Sequence, residues 1–236
     1  MNVFSNRNLI APTKKELWGG LACFIAYMIA IPILLQICVP LFSIGGTYAA
    51  FLYNISCSVC SFLMVLVVFR KLLFRSQLPM MLLLHTCFFG FIGARALDRL
   101  WMLLLSFVQL LLPETPVNMN QDLVVEFMTS YTGYMLLDVV LLAPVIEELL
   151  FRGVIFAPLC EKKPILGYAA SMTAFAFLHV VSFIGVQHWS ILLFSFLQYL
   201  PAGFVLCWSY QRSQSIWAPI VLHGLINLYS SIPYLF

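Results

Sequence analysis

The chain has 236 residues, 63% of them hydrophobic and only 9% charged, with a mean hydropathy of +1.00. So few polar groups cannot cover a water-exposed surface, which excludes an ordinary soluble domain and points to a polytopic membrane protein. The formal net charge of +3 is sparse and scattered, so no nucleic-acid partner is expected, and the placement of the charges reports membrane topology.

The N-terminal residues 1–16 carry Arg7, Lys14 and Lys15 ahead of an apolar run from Leu17 to about Leu41. That run is too long, and too poorly bounded by small residues, for a cleavable signal peptide, so it reads as a retained span. A second span, about Thr47 to Phe69, runs into Arg70, Lys71 and Arg75. Basic flanks at both open ends make these two spans a hairpin opening on the cytoplasm.

The segment from Pro79 to Leu112 is harder, because a helix of that length would reach ~50 Å against a hydrocarbon core of ~30 Å. Arg95, Asp98 and Arg99 also interrupt it, so it should tilt, break or lie partly in the interface. From Pro113 to about Tyr131 the chain reads as an acidic outer loop with Glu114, Asp122 and Glu126 and neither Lys nor Arg. Within it Leu112-Pro113-Glu114-Thr115 has the letters of a sortase signal, but the following Pro116 and the internal position make this a coincidence.

Four further spans are expected at about Gly133–Leu159, Pro164–Phe183, Trp189–Tyr210 and Ile216–Ile232. If the segment from Pro79 crosses once, every Lys and Arg outside the membrane segments falls on the cytoplasmic side, which favours about seven crossings with the N-terminus inside and the C-terminus outside. The expected fold is therefore an all-α polytopic membrane protein of about seven or eight transmembrane helices. It forms one integral membrane domain, in which residues 1–131 are helices of no assigned role and residues 132–233 form the core. The seven cysteines all sit within or at the ends of apolar runs, so a disulfide framework is not expected, and the Cys57-x-x-Cys60 pair reads as core packing.

The last four spans carry polar residues that apolar packing does not need. Glu147, Glu148 and Arg152 lie in one apolar helix, at a cost of ~8 kcal/mol if left unpaired in the membrane. Counted from the cytoplasmic ends, the two glutamates lie ~17–20 Å deep, His179 ~23 Å, His223 ~11 Å and Asn227 ~17 Å, so the groups approach one layer. Glu148 and Arg152 stand four residues apart and should pair, leaving Glu147, about 100° round the helix, free to face elsewhere. His223 and Asn227 make a second such pair, and Phe175 lies one turn before His179, where its ring could shield the imidazole.

Such a set suits water-dependent acyl cleavage. Glu147 could take a proton from water and pass it to the leaving amine, His179 could orient that water, and His223 and Asn227 could donate to the oxyanion. Each group alone also has a structural reading, a Glu-Arg clasp or interhelical polar glue. Two Glu, two His, one Asn and one Arg at one depth exceed what packing requires.

The order E-E-x-x-x-R (Glu147, Glu148, Arg152), F-x-x-x-H (Phe175, His179) and H-x-x-x-N (His223, Asn227) resembles the CAAX-protease and bacteriocin-processing family of intramembrane endopeptidases, also called Abi. The resemblance implies an all-helical core around a cavity, with Glu147 as the water-activating residue, His179 its partner, His223 and Asn227 completing the site, and Glu148 and Arg152 in support. No motif position departs from the pattern. Substrates that fit such a cavity are peptides or protein tails, lipidated or membrane-associated, met at the bilayer.

No cofactor is expected under this reading. The same residues allow a zinc alternative, with Glu147, His179 and His223 as a His₂Glu ligand set. A different class is a non-catalytic bacteriocin-immunity or peptide-binding membrane protein, and a transporter is disfavoured because no broken-helix repeat is visible. A compact chain without an organelle-targeting extension suits a bacterial plasma membrane.

Overall fold

Apolar residues dominate every segment that the sequence marks as a span, and in a medium without water the backbone must bond to itself. The computed structural model describes residues 9–38, 46–110 and 118–235, and all regular elements among them are helical. The segment Leu112–Thr115 and Arg7 lie outside the described residues.

Helix α1, Lys14–Cys38, opens on a capping box in which Thr13 and Glu16 satisfy each other's backbone. It is followed by α2, Gly46–Arg75, and α3, Met80–Gln109. These three, with α6 (Pro164–Val181) and α7 (Trp189–Ser213), are long and apolar enough to cross a membrane. Between them lie α4, Met119–Ser130, and α5, which runs over residues 132–162. The last long element is α8, Trp217–Ser231. The chain is an integral membrane protein, with side chains such as Trp18, Ile37, Leu100 and Phe107 turned outward from the bundle.

Of the seven or eight spans expected, five helices among the described residues are long and apolar enough to cross a membrane, and the helices depart from the sequence reading in two places. Met80–Gln109 is one unbroken helix; it neither breaks nor reverses, and at ~1.5 Å per residue it reaches ~45 Å. Its charges are managed locally, since Arg95 approaches Asp98 at 3.8 Å and lies over the Tyr229 ring at 5.4 Å. The second difference is a correction. The stretch read as an outer loop becomes helical at Met119, because Asn118 caps it by accepting from the Gln121 N–H at 3.2 Å and Asp122 lies in its first turn.

Helix α5 is central. Helix α1 crosses it where Gly20 lets Phe69 and Val154 approach so closely that a Cβ would lie 2.5 and 2.6 Å from them. On the same face Phe24 meets Phe151 edge to face at 5.3 Å. Helix α3 runs along α7 and α8. The Trp101 indole donates to the Leu197 carbonyl at 2.8 Å, an acceptor released because Pro201, four residues on, has no N–H.

One end of the bundle is tied by polar contacts between distant segments. Glu16 receives the Leu72 N–H at 2.6 Å and pairs with Arg75 at 2.9 Å. Tyr210 donates to the Ile10 carbonyl at 2.6 Å, Trp217 to the Leu73 carbonyl at 2.9 Å, and Ser215 to the Ser76 carbonyl. Lys14, Lys15, Arg70, Lys71, Arg75 and Arg212 thereby share one end of the fold.

Candidate active site

The site is built on a helix that departs from regular α geometry where its polar residues lie. Along α5, wide i→i+5 turns occupy Asp138–Leu142 and Glu148–Phe156, a form often found at functional sites. Their consequence can be followed bond by bond. The Ala143 N–H reaches five residues back to the Asp138 carbonyl, and Pro144 has no N–H to offer. The Val139 carbonyl therefore lacks a helical donor, and Asn227 of α8 supplies one from Nδ2 at 2.8 Å. One turn away, Gly224 comes so near the Val140 carbonyl that a Cβ would lie 2.5 Å from it. These contacts fix α8 against α5 about two turns before the glutamates.

Glu148 and Arg152 are both fully buried. Arg152 Nη1 lies 3.0 Å from Glu148 Oε1, and His223 Nδ1 lies 2.8 Å from the same oxygen. Arg152 also donates from Nη2 to the Gly203 carbonyl of α7 at 3.2 Å, and its guanidinium sits 4.5 Å from the Phe175 ring centre. One ion pair thus joins α5, α6, α7 and α8. A buried carboxylate and guanidinium are tolerable together because each offsets the other's desolvation.

Glu147 is buried at 7% exposure, and its Oε2 has no hydrogen-bond partner among the described residues. It lies within electrostatic reach of His223, Glu148, Arg152 and Asp138. His179, half-buried on α6, has Nδ1 2.9 Å from the Phe175 carbonyl. A carbonyl oxygen can only accept, so the neutral ring carries its proton on Nδ1 and leaves the Nε2 lone pair available. Phe175 is the hub of the cluster, with its ring 4.7 Å from His179, 5.7 Å from His223 and 5.7 Å from Phe151.

The structure thus draws Glu148, Arg152 and His223 into direct contact, with Phe175 and His179 beside them and Glu147 next along the helix. Two contacts were not foreseen in the sequence: His223 bonds Glu148, and Asn227 holds the Val139 carbonyl. Tyr199, whose ring stacks on His179 at 4.0 Å and 25°, is a site residue that sequence reasoning missed. Asp138 is another; its Oδ1 is buried without a partner, and Ser58 meets the carboxylate. A lone acid in an apolar run was the available signal for Asp138, whereas Tyr199 has none in an aromatic-rich helix.

The zinc alternative can be tested against these positions. Both imidazoles are anchored through Nδ1 and keep Nε2 open, which suits metal ligands and water-orienting groups equally. However, among the described residues no three His, Cys, Asp or Glu side chains converge closely enough to hold a metal ion. Glu147, His179 and His223 do not form an assembled ligand set in this arrangement.

Residues 129–229 match the family model described as type II CAAX prenyl endopeptidase Rce1-like, and that stretch contains all three motifs. The helical core is thus similar to the endopeptidase family that the three motifs resemble. A curated relative, "Putative membrane peptidase YdiL" of Bacillus subtilis (strain 168), is 32% identical over 91 residues, covering 38% of this chain and 32% of the relative. The chain thus matches about a third of that relative's length. No solved structure matches the chain significantly. Helices α1–α3 lie outside the matched core, yet α1 and α2 pack directly on α5, so they are part of the wall around the site.

Proposed function

We propose that the chain is an intramembrane endopeptidase that hydrolyses a peptide bond with water activated by Glu147. One observation carries the reading: Glu148 is committed through Oε1 to both Arg152 and His223, while the adjacent Glu147 is buried and makes no ion pair among the described residues, although each carboxylate keeps an Oε2 without a partner. A structural clasp accounts for the first carboxylate and leaves the second without a structural task. The match of this core to an endopeptidase family and to a relative named as a membrane peptidase supports the same reading.

In the proposed reaction Glu147 accepts a proton from water as the water oxygen attacks the carbonyl carbon of the scissile bond. His179 Nε2 accepts the second water hydrogen and orients the nucleophile. The tetrahedral oxyanion is stabilised by the Nε2–H of His223, when that ring is protonated on both nitrogens against Glu148, and by the Asn227 N–H not engaged with Val139. Glu147 then delivers its proton to the amide nitrogen. The C–N bond breaks, and the second water proton passes from the new carboxyl group to the amine, releasing a carboxylate and an ammonium group. Glu148 and Arg152 hold His223 in place.

The substrate is a peptide or protein tail met at the bilayer, lipidated tails included. The basic end of the bundle faces the cytoplasm by the positive-inside rule, which sets the N-terminus inside and the C-terminus outside a bacterial plasma membrane. The test compares peptides in cells carrying wild-type protein or Glu147→Gln. A defined set accumulating uncleaved in the variant, at equal membrane abundance, is the expected result; identical peptide profiles would overturn the reading.

A further inference from the structure

His179 is stacked face to face on a tyrosine whose other edge is anchored to a different part of the chain. The Tyr199 and His179 rings lie 4.0 Å apart at 25°. The Tyr199 hydroxyl donates to Asn118 Oδ1 at 3.3 Å and accepts from Asn120 Nδ2 at 3.1 Å. Its donor and one acceptor site are thus engaged, leaving it poorly placed to act on substrate directly. Asn118 is itself held, donating from Nδ2 to Gln198 Oε1 at 2.7 Å while its Oδ1 caps α4. A small cleft beside His179 is lined by these two asparagines with Gln187 and Ser195, and Tyr199 is within electrostatic reach of Glu147.

We infer that Tyr199 is a positioning residue for His179, and that the start of α4, through Asn118 and Asn120, sets the tyrosine's orientation. The inference rests on the peptidase reading for its consequence to turnover, but its physical content is separate. An imidazole tethered only by the Nδ1 hydrogen bond can still turn about χ2 whenever that one bond opens. A ring parallel to it and fixed at its far edge removes that freedom, and the Nε2 lone pair is then held in one direction. Misplacement of a catalytic group by about 1 Å can lower a rate about 100-fold.

The two claims are separated by reading His179 directly. The full chain, labelled with ¹⁵N-histidine and held in lipid nanodiscs, has four histidines, and His179→Ala assigns the relevant signals. In the wild type His179 is expected as the Nδ1–H tautomer. In Tyr199→Leu, which removes the stack, its two nitrogen signals should move towards the tautomer average. Tyr199→Phe, which keeps the stack and loses both asparagine bonds, should shift them partway, and Asn118→Ala with Asn120→Ala should reproduce that shift.

On a peptide that accumulates under Glu147→Gln, kcat should fall about 10-fold to 100-fold in Tyr199→Leu with KM unchanged. Unaltered His179 signals in Tyr199→Leu would overturn the positioning role whatever the turnover. If that variant fails to fold, unaltered signals in both Tyr199→Phe and the asparagine pair would do so. Altered signals in a chain whose Glu147→Gln variant leaves the cellular peptide profile unchanged would uphold the positioning role and reject the peptidase reading.

Discussion

Glu148 Oε1 lies 3.0 Å from Arg152 Nη1 and 2.8 Å from His223 Nδ1, so a single buried oxygen holds two helices in register. Glu148→Ala leaves Arg152 buried without a counter-charge, a change that typically costs about 3–5 kcal/mol. The variant should show low membrane abundance and a clearly lowered unfolding midpoint in detergent. Normal abundance with only turnover lost would show that Glu148 is chemical rather than supporting.

Asn227 satisfies a backbone carbonyl that the wide turn of α5 and Pro144 leave without a donor. Asn227→Ala should therefore destabilise the fold by about 1–3 kcal/mol, the cost of a buried unsatisfied acceptor. Thermal unfolding of the purified variant measures this. An unchanged midpoint would mean that Val139 finds another partner.

Gly224→Ala addresses the same junction sterically. The added Cβ would lie 2.5 Å from the Val140 carbonyl, and backbone cannot swing aside as a flexible side chain can. Helix α8 must move away from α5, which separates His223 from Glu148. Unfolding should occur at lower temperature and turnover should fall together; wild-type values for both would show that the helices are not locked here.

Exhaustive chelation distinguishes the glutamate reading from the zinc alternative. Turnover should persist after dialysis against a strong chelator, and elemental analysis should find no stoichiometric metal. Loss of activity restored by added zinc would assign Glu147, His179 and His223 as ligands instead.

Much of this architecture can be read from the sequence because the membrane simplifies the problem. Apolar runs of the right length locate α1, α2, α6 and α7, and charged or amide groups inside such runs stand out as site residues. What escapes is set by geometry that composition does not encode. Nothing in Asp138–Leu142 announces a wide turn, yet that turn exposes Val139 and determines what Asn227 does. Glu147 and Glu148 are adjacent identical residues; spacing assigns Arg152 to the second, but the contact of His223 with it comes only from the fold. The link from Asn118 to Tyr199 joins residues 81 apart, and helix α4 was hidden because a polar segment among spans reads as loop.

Glu147 is the base in the proposed reaction. The most direct measurement is kcat of Glu147→Gln against wild type, in nanodiscs, on a peptide that accumulates in cells carrying the variant. A general base contributes roughly 10²–10⁴-fold, so kcat should fall by about that factor while the unfolding midpoint and the Glu148–Arg152–His223 contacts persist. A kcat within a few-fold of wild type would contradict the account.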